Sequence, residues 1–238
     1  MTAPISVSPV QLGLLGAFSL HVGEEPLPLP MNAQRLVCFL ALHDGLLLRQ
    51  HVAGSLWGDT TERHASGSLR SALWRLGHPT HPLVEIADPH LRLSPLVAVD
   101  LYASEALARA ILDGSYELGD DAIDERLLSL DLLPDWTEDW VLMKREYHKQ
   151  LRLRALEALC LQLGEVGRFG QAVQAGILAV SAEPLRESAQ RALITVHLAE
   201  GNVAAAVDQY DSFSQLLGDE LSLSPSPEMQ ELMKGLNR

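Results

Sequence analysis

Gly167-Arg168-Phe169-Gly170-Gln171-Ala172-Val173 returns 34 residues later as Gly201-Asn202-Val203-Ala204-Ala205-Ala206-Val207, with glycine, alanine and valine in matching places. Leu159 returns as Leu193 at the same interval. A fixed period of this size marks a helix–turn–helix unit repeated along the chain. Leu156, Leu159, Cys160 and Leu163 sit on the first helix of the first copy. Phe169, Ala172 and Ala179 sit on its second, and Pro184 closes it. Ala172 and Ala206 are small enough to let paired helices approach, with larger apolar residues interdigitating around them. The second copy is looser, because Gln190 and His197 stand where the pattern calls for apolar side chains.

This is the tetratricopeptide spacing. Two copies cannot bury their own faces, so the long helix preceding them is expected to act as a cap.

The chain has 238 residues, enough for two domains that each bury a core. Apolar residues make up 47% and charged residues 21%, which excludes a disordered chain. Residues 1–23 contain neither Lys nor Arg nor a long apolar run, and no stretch approaches a membrane span. Cys38 and Cys160 lie in apolar helical contexts and read as buried, reduced thiols, which points to the cytoplasm. The net charge of −13 is unfavourable for binding nucleic acid, but it is unevenly placed. Residues 1–100 hold six Arg against eight acids, giving −2; the rest hold twelve bases against 23 acids, giving −11. Seven of the nine His also fall in the first part, so anion contact is expected there.

From the N-terminus, Val10, Leu12 and Leu14 alternate, then Phe18, Leu20 and Val22, which predicts a β-hairpin. A short third strand is expected at Leu27 and Leu29. Asn32 is placed to cap a helix carrying Leu36, Val37, Phe39 and Leu40, and a second short helix runs from about Arg49 to Trp57. Asp59 stands three residues before Glu62, the spacing of a capping box for a third helix through Leu76. Ala65, Leu69, Ala72 and Leu76 form its apolar stripe. Gly67, Arg70, Ser71 and Trp74 face the other way, flanked by Arg63 and Arg75. Val84 and Ile86, then Leu91 and Leu93, form a closing hairpin around Asp88-Pro89. Strands, three helices and a hairpin make a winged helix, whose third helix enters the major groove. The candidate DNA contacts are Arg63, Gly67, Ser68, Arg70, Ser71, Trp74 and Arg75, with His90 and Arg92 from the wing.

Residues 100–114 continue as a helix with Leu101, Leu107 and Ile111 inward. The acidic stretch 114–124, with its two glycines, reads as a linker. On the long helix that follows, Trp140, Met143, Tyr147, Leu151, Ala155 and Leu159 are expected to keep one face apolar. Lys144, Arg145, His148, Lys149 and Arg152 read as a solvated face pairing with nearby acids, in preference to a second DNA contact. Ser226 is placed to cap a last helix that begins with Pro227.

Several of these segments resemble one known family. Leu133-Pro134-Asp135-Trp136 with Asp139-Trp140-Val141, Ala182-Glu183-Pro184-Leu185-Arg186-Glu187-Ser188-Ala189, His197-Leu198-Ala199-Glu200-Gly201-Asn202, and Asp219-Glu220-Leu221 with Ser226-Pro227-Glu228 are similar to the bacterial transcriptional activator domain. Ala41-Leu42, Leu56-Trp57-Gly58-Asp59 and Ser68 to Leu76 are similar to the second and third helices of the winged helix joined to it in Streptomyces antibiotic regulatory proteins. The resemblance implies a response-regulator-type (OmpR/PhoB-type) winged helix-turn-helix, α+β in class, followed by an all-α tetratricopeptide-like domain. It implies a transcriptional activator that binds repeated promoter sites in double-stranded DNA as a homodimer or tandem protomers and recruits RNA polymerase. The expected boundaries are 8–100 for the winged helix, 101–124 for the connecting helix and linker, and 125–238 for the helical domain. One departure stands out: relatives follow the recognition helix with further Arg, whereas here Leu76 runs into Gly77-His78-Pro79.

Enzyme motifs are missing from the sequence. Lys144, Lys149 and Lys234 follow Met, His and Met, so no phosphate-binding Gly-Lys-Ser/Thr exists. No His-Glu-x-x-His, Cys-x-x-Cys or Gly-x-Ser-x-Gly occurs. His78-Pro79-Thr80-His81 is the one hint of a metal pair, and it lacks a third ligand. The expectation is a non-enzyme without cofactor or metal. The competing reading is a protein-interaction adaptor whose winged helix has lost DNA binding.

Overall fold

The computed structural model describes residues 9–43, 45–77, 82–118 and 126–234. The stretch 119–124 of the expected linker and the His78–His81 pair lie outside them. Two compact units are present: Met1–Ala103 with Leu130–Tyr147, and Ser104–Ser129 with His148–Arg238.

The first unit opens with β1 (Val10–Gly13), β2 (Ser19–Val22) and β3 (Glu25–Pro26). Val10 and Leu12 alternate inward along β1 as the sequence predicts, while the third strand falls earlier than Leu27 and Leu29. Helix α1 (Met31–Leu42) follows, then β4 (Leu47–Leu48), α2 (Arg49–Leu56) and α3 (Glu62–Leu76). The wing is β5 (Val84–Ala87) paired antiparallel with β6 (His90–Leu93), and β4 adds to its edge. Strand β7 (Val97–Val99) then returns parallel to β1, giving a sheet of order β3-β2-β1-β7. Asp100, opening α4 (Asp100–Asp113), accepts from the backbone N–H groups of Leu14 and Leu15 at 2.8 and 3.0 Å and so fixes the end of β1. Leu36, Phe39, Leu40, Val52, Leu56, Leu69 and Leu91 fill the core.

Two cap expectations are corrected. Pro30, not Asn32, precedes α1, and no side chain caps that helix. Thr61, not Asp59, caps α3: its hydroxyl accepts from the His64 N–H at 3.4 Å, and Glu62 accepts instead from Gln50 at 3.0 Å. The turn in which Thr60 N–H donates to the Trp57 carbonyl at 3.2 Å shifts the helix start past Asp59.

The segment Leu130–Tyr147 belongs to this first unit, whereas the sequence reading assigned all of 125–238 to the helical domain. Its apolar residues account for that grouping. Leu132 and Leu133 are fully buried; Leu132 bridges Leu15, and the Leu133 N–H donates to the Leu14 carbonyl at 2.9 Å. Trp136 lies 6.4 Å from Phe18, and Trp140 meets Phe39 edge to face at 5.3 Å. Leu133 adopts φ 41°, a conformation uncommon for a leucine. Arg145 holds it there, donating to the carbonyls of Leu132, Leu133 and Trp136.

The second unit contains α5 (Arg126–Ser129), most of α6 (Asp139–Glu165), α7 (Phe169–Ala182), α8 (Glu187–Glu200), α9 (Val203–Leu221) and α10 (Pro227–Lys234). The repeated glycines do the same job in both copies: Gly167 and Gly201 take φ 75° and 85° at the end of their helices, where a side chain would be strained. Gly176 permits the closest approach, since a Cβ there would lie 2.9 Å from Leu193 Cδ1 and 3.1 Å from Cys160 Sγ. Gln190 is buried but satisfied, donating to the Pro184 carbonyl at 2.8 Å and accepting from Gln209 at 2.6 Å. Ser226 caps α10 at Met229 N–H, 3.2 Å away.

The faces of α6 differ from the expectation. Met143 and Tyr147 are 71% and 51% exposed, while His148 and Arg152 of the expected solvated row are buried. His148 Nε2 lies 2.9 Å from the buried Ser104 hydroxyl, Arg152 donates to the Leu128 carbonyl, and Lys149 pairs with Glu183. These side chains have internal partners, which a charge pattern alone does not reveal. Cys38 and Cys160 are free and buried. Loss of hydration pushes both thiols upward, Cys160 to about 12; the Glu138 carboxylate adds to this at Cys38 and Glu157 at Cys160, where a Gly176 backbone hydrogen bond partly offsets it.

Candidate nucleic-acid interface

Helix α3 owes its exposed face to its stripe. Ala65, Leu69, Ala72 and Leu76 are all buried, so the residues three and four apart on the far side must face out. Arg63, Gly67, Arg70 and Trp74 form that outward row. Arg63 and Arg70 are exposed and have no ion-pair partner among the described residues. Trp74 is 74% exposed, with the Arg75 guanidinium 5.0 Å from its ring centroid.

Gly67 adds an independent sign. A glycine inside a helix costs about 1 kcal/mol relative to alanine. Here it is not needed for internal packing: a Cβ would meet nothing nearer than the Arg70 guanidinium at 3.9 Å. Such a position suits the approach of a bulky partner from outside the protein.

Two grooves run along the row. One, of about 900 Å³, brings Arg63, Gly67, Ser68, Arg70, Ser71 and Arg75 beside Met31 and Asn32 at the start of α1. The other, of about 520 Å³, lies between Arg70 and the Leu48–Gln50 segment, with Pro89 of the wing turn at its edge. The sequence reading missed Asn32, Arg49 and Gln50. Asn32 had been assigned to a cap, and Arg49 to an ordinary helix start, and the grooves appear only once α1, α2 and α3 are packed.

The two wing residues are less open than the exposed arginines of α3. Arg92 is bound to Glu85 across the hairpin, at 2.7 Å from Nε and 2.5 Å from the terminal nitrogen. That pairing lowers its net contribution to any phosphate contact. His90 is half-buried on β6, opposite Leu48 and Ala87. Among the described residues no group of three or more His, Cys, Asp or Glu is arranged to hold a metal ion. No helix among them is long and apolar enough to cross a membrane.

The described residues thus comprise a winged helix-turn-helix with an exposed basic face on α3 and a set of tetratricopeptide-like helices. The family model for the bacterial transcriptional activator domain matches residues 98–237. Regulatory protein AfsR of Streptomyces griseus is 28% identical over 99% of this chain and 25% of its own length. A solved structure of Mycobacterium tuberculosis EmbR in complex with a low affinity phosphopeptide shares the fold, with a TM-score of 0.66 at 19% identity over 95% of this chain and 64% of that one. The chain therefore spans about a quarter of the curated relative and under two thirds of the solved one. It belongs to the bacterial transcriptional activator domain family and is similar to regulators of the Streptomyces antibiotic regulatory protein type.

Proposed function

We propose that this regulator is an activator that binds repeated promoter sites in double-stranded DNA, with α3 in the major groove, and recruits RNA polymerase. The observation that carries the reading is the outward row on α3, where two exposed arginines, without ion-pair partners among the described residues, flank a half-buried glycine with room for a Cβ. Arg63, Arg70 and Arg75 are the cations that α3 offers per protomer once Arg92 is engaged by Glu85, with the half-buried Arg49 in the second groove. Neutralising about three phosphates gives a slope of log affinity against log salt of about −3 for one copy. So few phosphate contacts supply little electrostatic affinity at physiological salt, so stable occupancy needs two protomers on adjacent sites or contact with the polymerase. The test is a mobility-shift assay on the DNA upstream of the gene, followed by salt titrations on one-site and two-site duplexes with mass measured in solution. Cooperative binding with a slope near twice the single-site value supports the reading. Tight binding of one monomer to one half-site contradicts the tandem arrangement.

The second reading is an interaction adaptor without DNA binding. It is favoured by the net charge of −13 and by the Arg92–Glu85 pair. Absence of any shift at low salt would favour it.

A further inference from the structure

Trp74 is the most exposed large apolar side chain on the first unit's recognition helix, and neither capping nor core packing explains it. It shares its helix face with Arg63, Gly67 and Arg70, so a duplex seated on that row meets the indole as well. The Arg75 guanidinium over the ring adds positive charge beside it. An indole can donate one hydrogen bond and accept none, so most of its surface needs an apolar partner. The floor of the major groove carries one apolar group, the thymine C5-methyl. Apolar wedges that unstack base steps act from the minor groove, and single-strand binding uses a series of aromatic platforms. A lone tryptophan on a major-groove helix matches neither.

We infer that Trp74 is a specificity-determining residue that packs against a thymine methyl, so each half-site contains a required A·T pair read through that methyl. The inference rests on the DNA-binding reading above. It assigns Trp74 a task distinct from that of Arg70: Arg70 contacts a base edge or phosphate through charge, whereas Trp74 recognises a methyl group that carries none.

The experiment begins with duplexes selected from a random-sequence library by the full chain. Each thymine of the selected half-site is then replaced in turn by deoxyuridine, which removes only the methyl. Affinities are measured for wild type, Trp74→Ala and Trp74→Phe, with circular dichroism confirming unchanged helix content. One deoxyuridine position should weaken wild type about fourfold, the equivalent of one buried methyl at ~0.8 kcal/mol. Trp74→Ala should bind the thymine duplex more weakly and show no difference between thymine and deoxyuridine there, and Trp74→Phe should retain part of it. If no position responds to deoxyuridine, or the response survives in Trp74→Ala, the inference is overturned while DNA binding stands. If the library yields no selected sequence, the DNA-binding reading fails and the inference falls with it.

Discussion

Arg35 Nε donates to Glu138 Oε1 at 3.0 Å, linking α1 to a segment that lies 103 residues further along the chain. Each side chain remains about a quarter exposed, at 23% and 26%, so solvent screens the pair. A double-mutant cycle with Arg35→Ala and Glu138→Ala should therefore give a coupling of only about 0.5–1 kcal/mol. The aromatic contact beside it should matter more. Trp140→Ala removes the edge-to-face partner of Phe39 and should lower stability by about 2–3 kcal/mol, read as a lower urea midpoint. A Trp140→Ala change within about 0.5 kcal/mol would mean that the segment 130–147 does not stabilise the first unit.

Gly67→Ala should separate stability from binding. The new methyl has open space, so α3 should gain up to about 1 kcal/mol and thermal unfolding should move upward. DNA affinity should fall, because the methyl occupies the surface facing the duplex. A variant that is stabilised and binds DNA as tightly as wild type would show that the glycine has no role in close approach.

Gly176→Ala should act in the opposite sense. Its methyl would press on Leu193 and Cys160 inside the repeat core, and overpacking of this kind costs about 1–3 kcal/mol. Gly170→Ala, on the same helix but with nothing within 4 Å, serves as the control and should be neutral or mildly stabilising. Equal urea midpoints for the two variants would contradict the close α7–α8 approach.

The Cys160 thiol gives a pH prediction. Burial raises it from the ordinary 9.0 to about 12 in the folded chain, so its contribution to stability is fully present below pH 9. As pH rises from 9 towards 12 the unfolded chain ionises first, and that contribution is lost. Thiol titration at pH 8 should label neither Cys38 nor Cys160 until denaturant is added. Rapid labelling of the native protein would show that the buried environment opens.

The contrast between α3 and α6 shows what the sequence could reveal. Helix α3 is buried along one stripe, so Ala65, Leu69, Ala72 and Leu76 alone determine which residues face out, and the row of Arg63, Gly67, Arg70 and Trp74 could be read directly. Helix α6, 27 residues long, is buried on different sides along its length. Its cations therefore look like a surface stripe, although Arg145 serves carbonyls freed by the left-handed Leu133 and His148 meets Ser104. Those partners depend on backbone conformation and chain return, which leave no periodic trace. Strands β4 and β7, of two and three residues, are too short to show alternation. The Arg92–Glu85 pair was also unreadable, because hairpin register sets which wing residues stand opposite one another.

The central claim, that the outward row of α3 binds double-stranded DNA, is tested most directly by fluorescence anisotropy on the upstream duplex with wild type and Arg70→Ala. Arg70 lies opposite the buried stripe, so the variant should retain its helix content by circular dichroism. Its affinity for the specific duplex should fall by about 1–3 kcal/mol if Arg70 reads a base. Unchanged affinity in a folded Arg70→Ala protein would contradict the account.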